Sequence, residues 1–275
     1  MNRDALVFSV YDRARELDLR MMLESLREVF EDRQTDVWAI IDGPVGLELQ
    51  GVIESYQCVG MLVLPIERNL GLGGALNMWF KDNQNYRYIF RIDTDDRYVE
   101  GRITDQRRAL DANHLVAAHS GAIEYRYGTR RKVRESYSCH ALSLYTLFRS
   151  PMNHPASAIR GEALASIDGF PVFRTAQDLV LWHRLLNAGW SLQSSKKIMV
   201  RSEIDHNLLS RRGARALLAD MPAYRDVIDN FFPHNPLAWV VVGLKFCLAV
   251  LISLIQCAYL VIRSLHKKVQ NLCAT

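Results

Sequence analysis

The sequence predicts an open α/β fold, with a mostly parallel sheet flanked by helices and an apolar helical segment near the C-terminus. The composition is that of a packed globular protein, because 49% of its 275 residues are hydrophobic and 23% are charged. Four short apolar runs are typical of buried strands, and alternation of strands with helix-length segments favours a parallel sheet. The runs span residues 5–10, 37–41, 61–64 and 88–92.

Helices are predicted between these strands from the spacing of apolar residues. Residues 15–30 place Leu19, Met22 and Leu26 on one helical face, and residues 71–79 begin a helix after a glycine-rich turn. The first hundred residues are therefore predicted to form a nucleotide-binding half. The elements predicted beyond it are a helix over residues 101–113, a strand over 115–118, a basic loop over 126–134, a strand over 156–159, and helices over 161–167 and 176–188.

Net charge and cysteine content exclude several classes of protein. The formal net charge of +4 is mild compared with the concentrated basic patches of nucleic-acid binders. The five scattered cysteines form no CxxC pair, so they fit neither a disulfide framework nor a zinc site and favour a reducing compartment. The apolar run at residues 5–10 is too short for the hydrophobic region of a secretion signal. We therefore expect a protein that works on the cytosolic side and binds no nucleic acid.

Residues 237–262 are almost entirely apolar, with Lys245, Ser253 and Gln256 as the polar exceptions. A run of about 25 residues is long enough to span a bilayer, whereas core helices this long and apolar on every side are uncommon. This pattern favours membrane association over a buried helix. The basic residues that follow mark the C-terminal end as cytoplasmic, and a spanning, a re-entrant and an interfacial helix all remain open.

Three aspartates, Asp93, Asp95 and Asp96, follow the fourth predicted strand. This is the carboxyl end of a predicted parallel strand, where open α/β sheets bind ligands. Carboxylate oxygens suit Mg²⁺ or Mn²⁺, and Mg²⁺ takes one or two protein carboxylates together with substrate phosphates. The cluster therefore predicts a metal that bridges the protein and a diphosphate. An acidic turn that caps the helix near Gly101 is the alternative that the cluster alone leaves open.

Two other motif assignments fail. A haloacid-type phosphatase carries its DxD at the first strand, with Thr or Val two positions on, where this chain has Arg97. Residues 68–77 contain Gly71 and Gly73 but Leu76 at the third position of a dinucleotide-binding fingerprint, which is therefore incomplete. This segment is predicted to be a turn that leads into a helix.

Several motifs, in the same order along the chain, resemble the bacterial family 2 glycosyltransferases of the GT-A fold, of the inverting, single-addition type. The resemblance covers roughly residues 5–212. The motifs of the first half are Ser9 to Asp12, Asp42-Gly-Pro44, Asn69-x-Gly-x-x-x-Ala-x-Asn77 and Asp93-x-Asp-Asp96. Those that resemble the acceptor half are Asn153-His-Pro155, Gly169-Phe-Pro171 and the segment from Gln177-Asp178 to Gly189.

The resemblance implies a division of the chain into a catalytic domain and a C-terminal extension. Residues 1–212 would form the catalytic domain, with the nucleotide-binding half at about 1–100 and the acceptor half at about 101–212. The parts that follow would be a connecting helix over residues 213–235, an apolar membrane-associated helix over 236–264 and a basic tail over 265–275.

The resemblance also implies roles for individual residues in an inverting sugar transfer. Asp95 and Asp96 would hold Mn²⁺ or Mg²⁺ on the diphosphate of the donor. Asp178 matches the family's base, which takes the proton of the acceptor hydroxyl. Many relatives carry paired acids where this chain has Ile41-Asp42, and Glu-Asp where it has Gln177-Asp178. The implied nucleotide-sugar-binding positions are Ser9, Tyr11, Asp42, Asn69, Gly71, Asn77, Arg91, Asp93 and Asp95.

The acceptor or phosphate side is less specific in sequence. A lone histidine in a turn is as often structural as functional, and basic residues after the catalytic helix could offset phosphate charge or simply be solvated. Asp178 by itself could be an acidic residue in the first turn of a helix. The positions assigned to this side are His154, Gln177, His206, Arg211 and Arg212.

The leading hypothesis is a glycosyltransferase on the cytoplasmic face of the bacterial inner membrane. It would add one sugar, from a UDP- or dTDP-type donor, to a lipid-linked or lipid-anchored glycan of O-antigen, capsule, exopolysaccharide or lipopolysaccharide. A processive synthase usually carries several membrane spans and a Gln-x-x-Arg-Trp signature, which this sequence lacks. A non-catalytic nucleotide-sugar-binding or scaffold subunit is the alternative, and a homo-oligomer paired through the apolar segment stays open.

Overall fold

The computed structural model describes residues 3–203, 214–251 and 254. In that part of the chain, strands pair into one sheet in the order β3-β2-β1-β4-β8-β6-β9-β5, and β7 pairs with β6 beside this path. The strands are β1 (Asp4–Val10), β2 (Thr35–Asp42), β3 (Leu62–Ile66), β4 (Tyr88–Arg91), β5 (Asp96–Tyr98), β6 (Val116–Tyr127), β7 (Arg130–Arg134), β8 (Ser157–Arg160) and β9 (Ser191–Glu203). The helices are α1 (Glu16–Ser25), α2 (Arg27–Glu31), α3 (Leu47–Gln57), α4 (Gly71–Asp82), α5 (Arg102–Asp111), α6 (Leu144–Phe148), α7 (Gly161–Ala165), α8 (Gln177–Asn187), α9 (Ala214–Phe231) and α10 (residues 236–251), with a 3-10 turn at His154–Ala156.

The first four strands are parallel, as predicted, and their positions match the predicted apolar runs closely. Helices cover both faces, because Leu19 of α1 and Val52 of α3 pack on one side while Leu76 and Trp79 of α4 pack on the other. β1 lies between β2 and β4, so the order of the strands reverses at β1: β2 and β3 lie on one side of it and β4 lies on the other. Such a switch point leaves a crevice at the carboxyl ends of the strands. The predicted helix over residues 15–30 is divided at Leu26 into α1 and α2.

The sheet is mixed rather than mostly parallel, which corrects the prediction for the second half of the fold. β8 lies between β4 and β6 and is antiparallel to both, and β5 is antiparallel to β9. A parallel neighbour requires a crossover that returns the chain to the edge where the first strand began. The segment between β6 and β8 makes no such crossover, so β8 runs antiparallel to β6. The alternation of strands and helices in the sequence does not indicate the direction of a strand.

The predicted basic loop at residues 126–134 is instead part of a hairpin. Gly128 has φ +53° and with Thr129 makes a two-residue turn, since Tyr127 pairs with Arg130 across it. Glu124 pairs with Arg126 of its own strand at 3.0 Å and with one arginine each from the neighbouring strands β7 and β9. The basic residues therefore lie on a regular strand whose charge is partly neutralised by Glu124.

The C-terminal helices pack against the first turns of α8. Leu147, Val180, Tyr224 and Val242 belong to one buried apolar cluster that joins α6, α8, α9 and α10. Among residues 3–203, 214–251 and 254, no helix has both the length and the apolar character needed to cross a bilayer. The remainder of the predicted apolar helix over 236–264 and the basic tail lie outside the described residues.

Candidate active site

A cleft of about 520 Å³ opens at the carboxyl ends of β1, β2 and β4, beside the start of α4. This volume is ordinary for a small-molecule site, and the position is the crevice expected at the switch point. It brings together most of the predicted nucleotide-sugar-binding residues. The lining consists of Ser9, Tyr11, Arg13, Ala14, Arg15, Asp18, Asp42, Asn69, Gly71, Leu72, Asp93, Thr94, Asp95, Arg174 and Glu203.

Asp42 and Asn69 hold the turn that begins α4 against the end of β2. Asp42 Oδ1 accepts the backbone N–H of Leu70 at 2.6 Å, and Asn69 Nδ2 donates to the Asp42 carbonyl at 3.0 Å. Gly43 is required between them, because its φ of +87° and a Cβ only 2.8 Å from the backbone nitrogen of Asn69 would both disfavour a side chain. One carboxylate oxygen of Asp42 thus has a structural role, and the other remains available to a ligand.

The three aspartates after β4 face in different directions. Asp95 is exposed and lines the cleft with Asp93, whereas Asp96 is only 4% exposed, does not line the cleft and shares a hydrogen bond with Ser202. Arg91 is fully buried below them, donates to the Val7 carbonyl and holds Asp93 Oδ1 at 3.0 Å. The structure therefore places Arg91 as a support for Asp93 and places Asp96 behind the cleft.

The carboxylates crowd each other electrostatically. Burial, followed by the neighbouring Asp93 and Asp95, raises the pKa of Asp96 well above its ordinary value. Burial also raises the pKa of Asp93, with Asp95 and Asp178 adding to the effect and Arg91 opposing it. A divalent cation would relieve this repulsion, and the oxygen donors of Asp93 and Asp95 suit Mg²⁺ or Mn²⁺.

A metal at this place would depend on ligands from its substrate. In the described ranges there is no group of three or more His, Cys, Asp or Glu side chains placed to hold a metal ion. Mg²⁺ commonly binds one or two carboxylates and completes its shell with substrate phosphates and water. The exposed Asp95 and partly buried Asp93 fit that pattern. Asp96 fits it only as a neighbour that orients or tunes them.

Asp178 lies in the first turn of α8, outside the lining of the cleft but near enough to Asp93 that its charge helps to raise the pKa of that carboxyl. The preceding Ala176 has φ +52°, a left-handed conformation that is strained for a residue with a Cβ. The Asp178 carboxylate accepts backbone N–H groups of its own first turn, including that of Leu179. Burial raises its pKa, while Arg134, these hydrogen bonds and Lys245 lower it. A partly buried carboxylate with a raised pKa is suited to general base catalysis.

Several predicted site residues lie elsewhere. Asn77 lies almost two turns along α4 from Gly71, and its Oδ1 approaches Gly169 rather than the cleft. His154 is buried against Phe170 and Trp182, outside the lining of the cleft, and burial lowers the pKa of its ring well below the ordinary value. Gln177 adjoins Gly73 of α4. His206, Arg211 and Arg212 lie outside the described residues.

Other cleft residues were not predicted. Arg13 and Arg15 follow the first motif, and Arg15 holds Asp18 at 2.6 Å. Arg174 lies on the loop before α8 and Glu203 at the end of β9, so both come from the acceptor half. The sequence could have indicated them only through their closeness to predicted motifs. Arg174, for example, lies four positions before Asp178.

An α/β sheet with an acidic cleft at this switch point is the arrangement of GT-A-like transferases, and the comparisons agree. The model of glycosyl transferase family 2 matches residues 6–168, more than half of the chain, so the protein belongs to that family. It is 23% identical over 225 residues to the amylovoran biosynthesis glycosyltransferase AmsE of Erwinia amylovora, covering 80% of this chain and 84% of AmsE. It is 27% identical over 197 residues to the UDP-Gal:α-D-GlcNAc-diphosphoundecaprenol β-1,3-galactosyltransferase of Escherichia coli, covering 69% of this chain and 71% of that enzyme.

Solved structures share the fold. TarS of S. aureus superposes with a TM-score of 0.58 at 15% identity, over 82% of this chain but only 40% of TarS, so this chain spans less than half of that protein. The mannosyltransferase PcManGT of Pyrobaculum calidifontis, in complex with GDP-Man and Mn²⁺, superposes with a TM-score of 0.58 at 14% identity, covering 88% of this chain and 73% of PcManGT. At these identities the likeness extends to the fold alone.

Proposed function

We propose that the protein is an inverting, metal-dependent glycosyltransferase that moves one sugar from a UDP- or dTDP-type donor to a lipid-linked glycan in bacterial surface polysaccharide synthesis. One observation supports this most strongly: Asp93 and Asp95 line the donor cleft, and Asp178 at the start of α8 is near enough to Asp93 to raise the pKa of that carboxyl. This arrangement separates a diphosphate site from a base, as displacement at an anomeric carbon requires.

In the proposed reaction, Asp178 accepts the proton of the acceptor hydroxyl as that oxygen attacks the anomeric carbon. The bond from this carbon to the diphosphate oxygen breaks, and the nucleoside diphosphate leaves with the electron pair on the opposite face. Mn²⁺ or Mg²⁺ on Asp93 and Asp95 supplies charge neutralisation for that leaving group when it is bound. Ser9, Tyr11 and the free oxygen of Asp42 would contact the nucleoside.

The activity of one relative guides the choice of acceptor. The E. coli enzyme acts on a sugar attached to diphosphoundecaprenol, and AmsE belongs to amylovoran synthesis. The donors bound in structural neighbours include UDP-GlcNAc and GDP-Man. A lipid diphosphate carrying one or more sugars is therefore the acceptor class that we propose.

Membrane association forms part of this proposal, through a helix that lies in the interface. One face of α10 packs on α8 and α9, and the opposite face exposes a stripe of apolar side chains to solvent. A helix whose one face is committed to protein fits a lipid surface better than a bilayer crossing. The exposed stripe consists of Leu237, Val240, Leu244, Leu248 and Leu251.

A transfer assay tests the proposed activity. Full-length protein with Mn²⁺, a panel of nucleotide sugars and a prenyl-diphosphate-linked sugar should give a product with one added sugar of inverted anomeric configuration. Asp178→Asn should lower kcat by about 10²- to 10⁴-fold, because the base is lost. Nucleotide binding without turnover by any donor would instead favour the non-catalytic subunit, and full activity of Asp178→Asn would refute the assigned base.

A vesicle-binding assay tests the membrane surface separately. The double variant Leu244→Gln/Leu248→Gln should sediment less with anionic phospholipid vesicles than the wild type, while keeping its fold. Leu17→Gln/Leu47→Gln is the matched control, since these leucines are exposed on α1 and α3, far from α10 in the chain. Equal vesicle binding by both double variants and the wild type would exclude this face as the membrane contact.

A further inference from the structure

Lys245 is the only charged residue in the apolar stretch from residue 237 to residue 262, and it lies on the inner face of α10. Buried Ala238 and Val242 share this face, and Leu244 and Leu248 lie on the exposed face. A lysine in an apolar helix would ordinarily extend its ammonium toward water. Here the side chain is partly buried and directed into the protein, so its position requires a partner inside.

The partners of Lys245 belong to the elements that surround the start of α8. Its Nζ donates to Tyr224 Oη of α9 and lies 3.4 Å from the carbonyl oxygen of Leu147 on α6. Leu147 and Tyr224 pack in the same buried cluster as Leu179, the residue that follows Asp178. A second link joins this region to α9, because the Thr175 hydroxyl donates to the Ala219 carbonyl at 2.8 Å. The ammonium of Lys245 is therefore held by two elements, α6 and α9, whose side chains pack in the same cluster as the first turn of α8.

The charged groups around Asp178 come from four parts of the fold. Arg134 at the end of β7 and Lys245 of α10 favour its ionised form. Asp220 of α9 and Asp93 oppose it, and the Tyr224 phenol, whose pKa is raised by burial, Asp220 and Asp178, adds no charge at neutral pH. Of the two cations that lower the pKa of Asp178 most in the described part of the chain, removal of Lys245 would leave Arg134 against the carboxylates of Asp93 and Asp220.

We propose that Lys245 is a positioning residue for the base: held by Tyr224 and Leu147, it keeps the first turn of α8 in place and the Asp178 carboxylate ionised for proton transfer. The inference rests on the proposed function, because it assigns a partner to the proposed base. It makes the docking of α10 a requirement for turnover, so the C-terminal helix completes the active site in addition to any contact with lipid.

Kinetics of Lys245→Met in the full-length protein test the proposal, since methionine keeps the packing volume and removes the charge. We expect the acidic limb of the kcat profile to move upward by about one pH unit, so that kcat on that limb falls about tenfold while kcat on the plateau changes little. The limb moves upward because the base works when it is ionised. The loss of a nearby cation raises the pKa of the Asp178 carboxylate, so the base becomes protonated at a higher pH. The KM for the nucleotide sugar should stay within about twofold, because Lys245 lies on the acceptor side.

Two companion variants separate charge from packing. Lys245→Arg keeps the cation and should recover most of kcat and the position of the acidic limb. Lys196→Met removes an exposed lysine of β9 and should match the wild type. If Lys245→Met does not fold, Tyr224→Phe replaces it, because it removes the oxygen that holds the ammonium and keeps the ring; its acidic limb should also move upward.

The proposal is overturned if Lys245→Met behaves like Lys196→Met, or if Lys245→Met and Lys245→Arg lose activity equally with an unmoved acidic limb, which would indicate packing alone. An unmoved limb in Tyr224→Phe overturns it as well. Absence of transfer by the wild type, or full activity of Asp178→Asn, would refute the proposed function. Wild-type turnover that Asp178→Asn abolishes and Lys245→Met leaves intact would refute the role of Lys245 alone.

Discussion

In the donor half, residues 4–98, most cleft residues lie at the ends of parallel strands or in the turns that follow them, where neighbours in sequence hold them. In the acceptor half, which the structure describes over residues 101–203, Asp178 lies in the first turn of a helix whose support comes from α6 and from the C-terminal helices α9 and α10. Asp42 and Asn69 show the first mode, with two hydrogen bonds between adjacent strand-end turns. The comparison indicates that short motifs build the donor side, while packing between distant segments builds the acceptor side.

The largest expected effect separates the two sides by function. Asp95→Asn should weaken Mn²⁺-dependent binding of the nucleoside diphosphate by at least about tenfold, because a proposed metal ligand is lost. Asp178→Asn should bind the nucleotide normally and lose about 10²- to 10⁴-fold in kcat. Titration calorimetry with the nucleotide and Mn²⁺, alongside steady-state kinetics, measures both. Asp82→Asn, an exposed carboxylate at the end of α4, is the control; equal binding losses in the two site variants would contradict the separation.

The second effect is a loss of stability at acidic pH. We expect the acceptor half to unfold first, because the first 113 residues contain no histidine. Burial lowers the pKa of His119 and of His183 to about 4, from 6.5. The fold favours the neutral rings, so stability is complete above about pH 6.5 and is lost as pH falls toward 4, with up to about 3 kcal/mol from each.

Hydrogen exchange above and below this window measures the acid effect. Peptides from α8 should lose protection before peptides from β1 and β2, and His183→Asn should reduce the pH dependence of unfolding. Thr146 Oγ1 lies 2.9 Å from the His183 ring, and Leu179 contributes a carbonyl oxygen at 2.8 Å, so the variant retains polar neighbours. Simultaneous loss of protection in both halves would contradict the assignment.

A smaller effect tests the contact between the halves. A Cβ on Gly73 of α4 would overlap the carbonyl oxygen of Pro171 and approach Gln177 Cβ at 3.3 Å. Gly73→Ala should therefore destabilise the protein by about 1–3 kcal/mol, through overpacking against the loop that leads to Asp178. Denaturant unfolding measures the loss, and kcat should fall more than nucleotide affinity. An unchanged midpoint would show that this loop moves freely.

The smallest effect is expected for a second glycine, which serves as the matched control for Gly73→Ala. Gly51 lies within α3 with open space around the position of a Cβ. Gly51→Ala should stabilise the protein by about 0.5–1 kcal/mol, because alanine loses less backbone entropy in a helix. The same unfolding experiment reports it, and a destabilisation would indicate a contact at this surface.

The donor half could be predicted well from the sequence because its signals are local. Apolar runs identified β1 to β4, and the position of Asp93 and Asp95 after β4 placed them at the ligand-binding edge. The direction of β8 and the hairpin at residues 126–134 could not be predicted in this way. Strand direction depends on which edge the chain enters, and apolar spacing is the same for both directions.

At the site, too, the sequence determined some features and the tertiary structure determined others. The sequence established the family, the kinds of residue at the site and the spacing of its motifs. Tertiary structure alone turned Asp95 toward the cleft and Asp96 toward Ser202, and placed Asn77 against Gly169. It also brought Lys245 to Tyr224 and Leu147, in the group of helices that packs around the first turn of α8. Local patterns encode elements and their faces, whereas contacts between distant segments form only when those faces pack, so the partner of each face is decided by the complete fold.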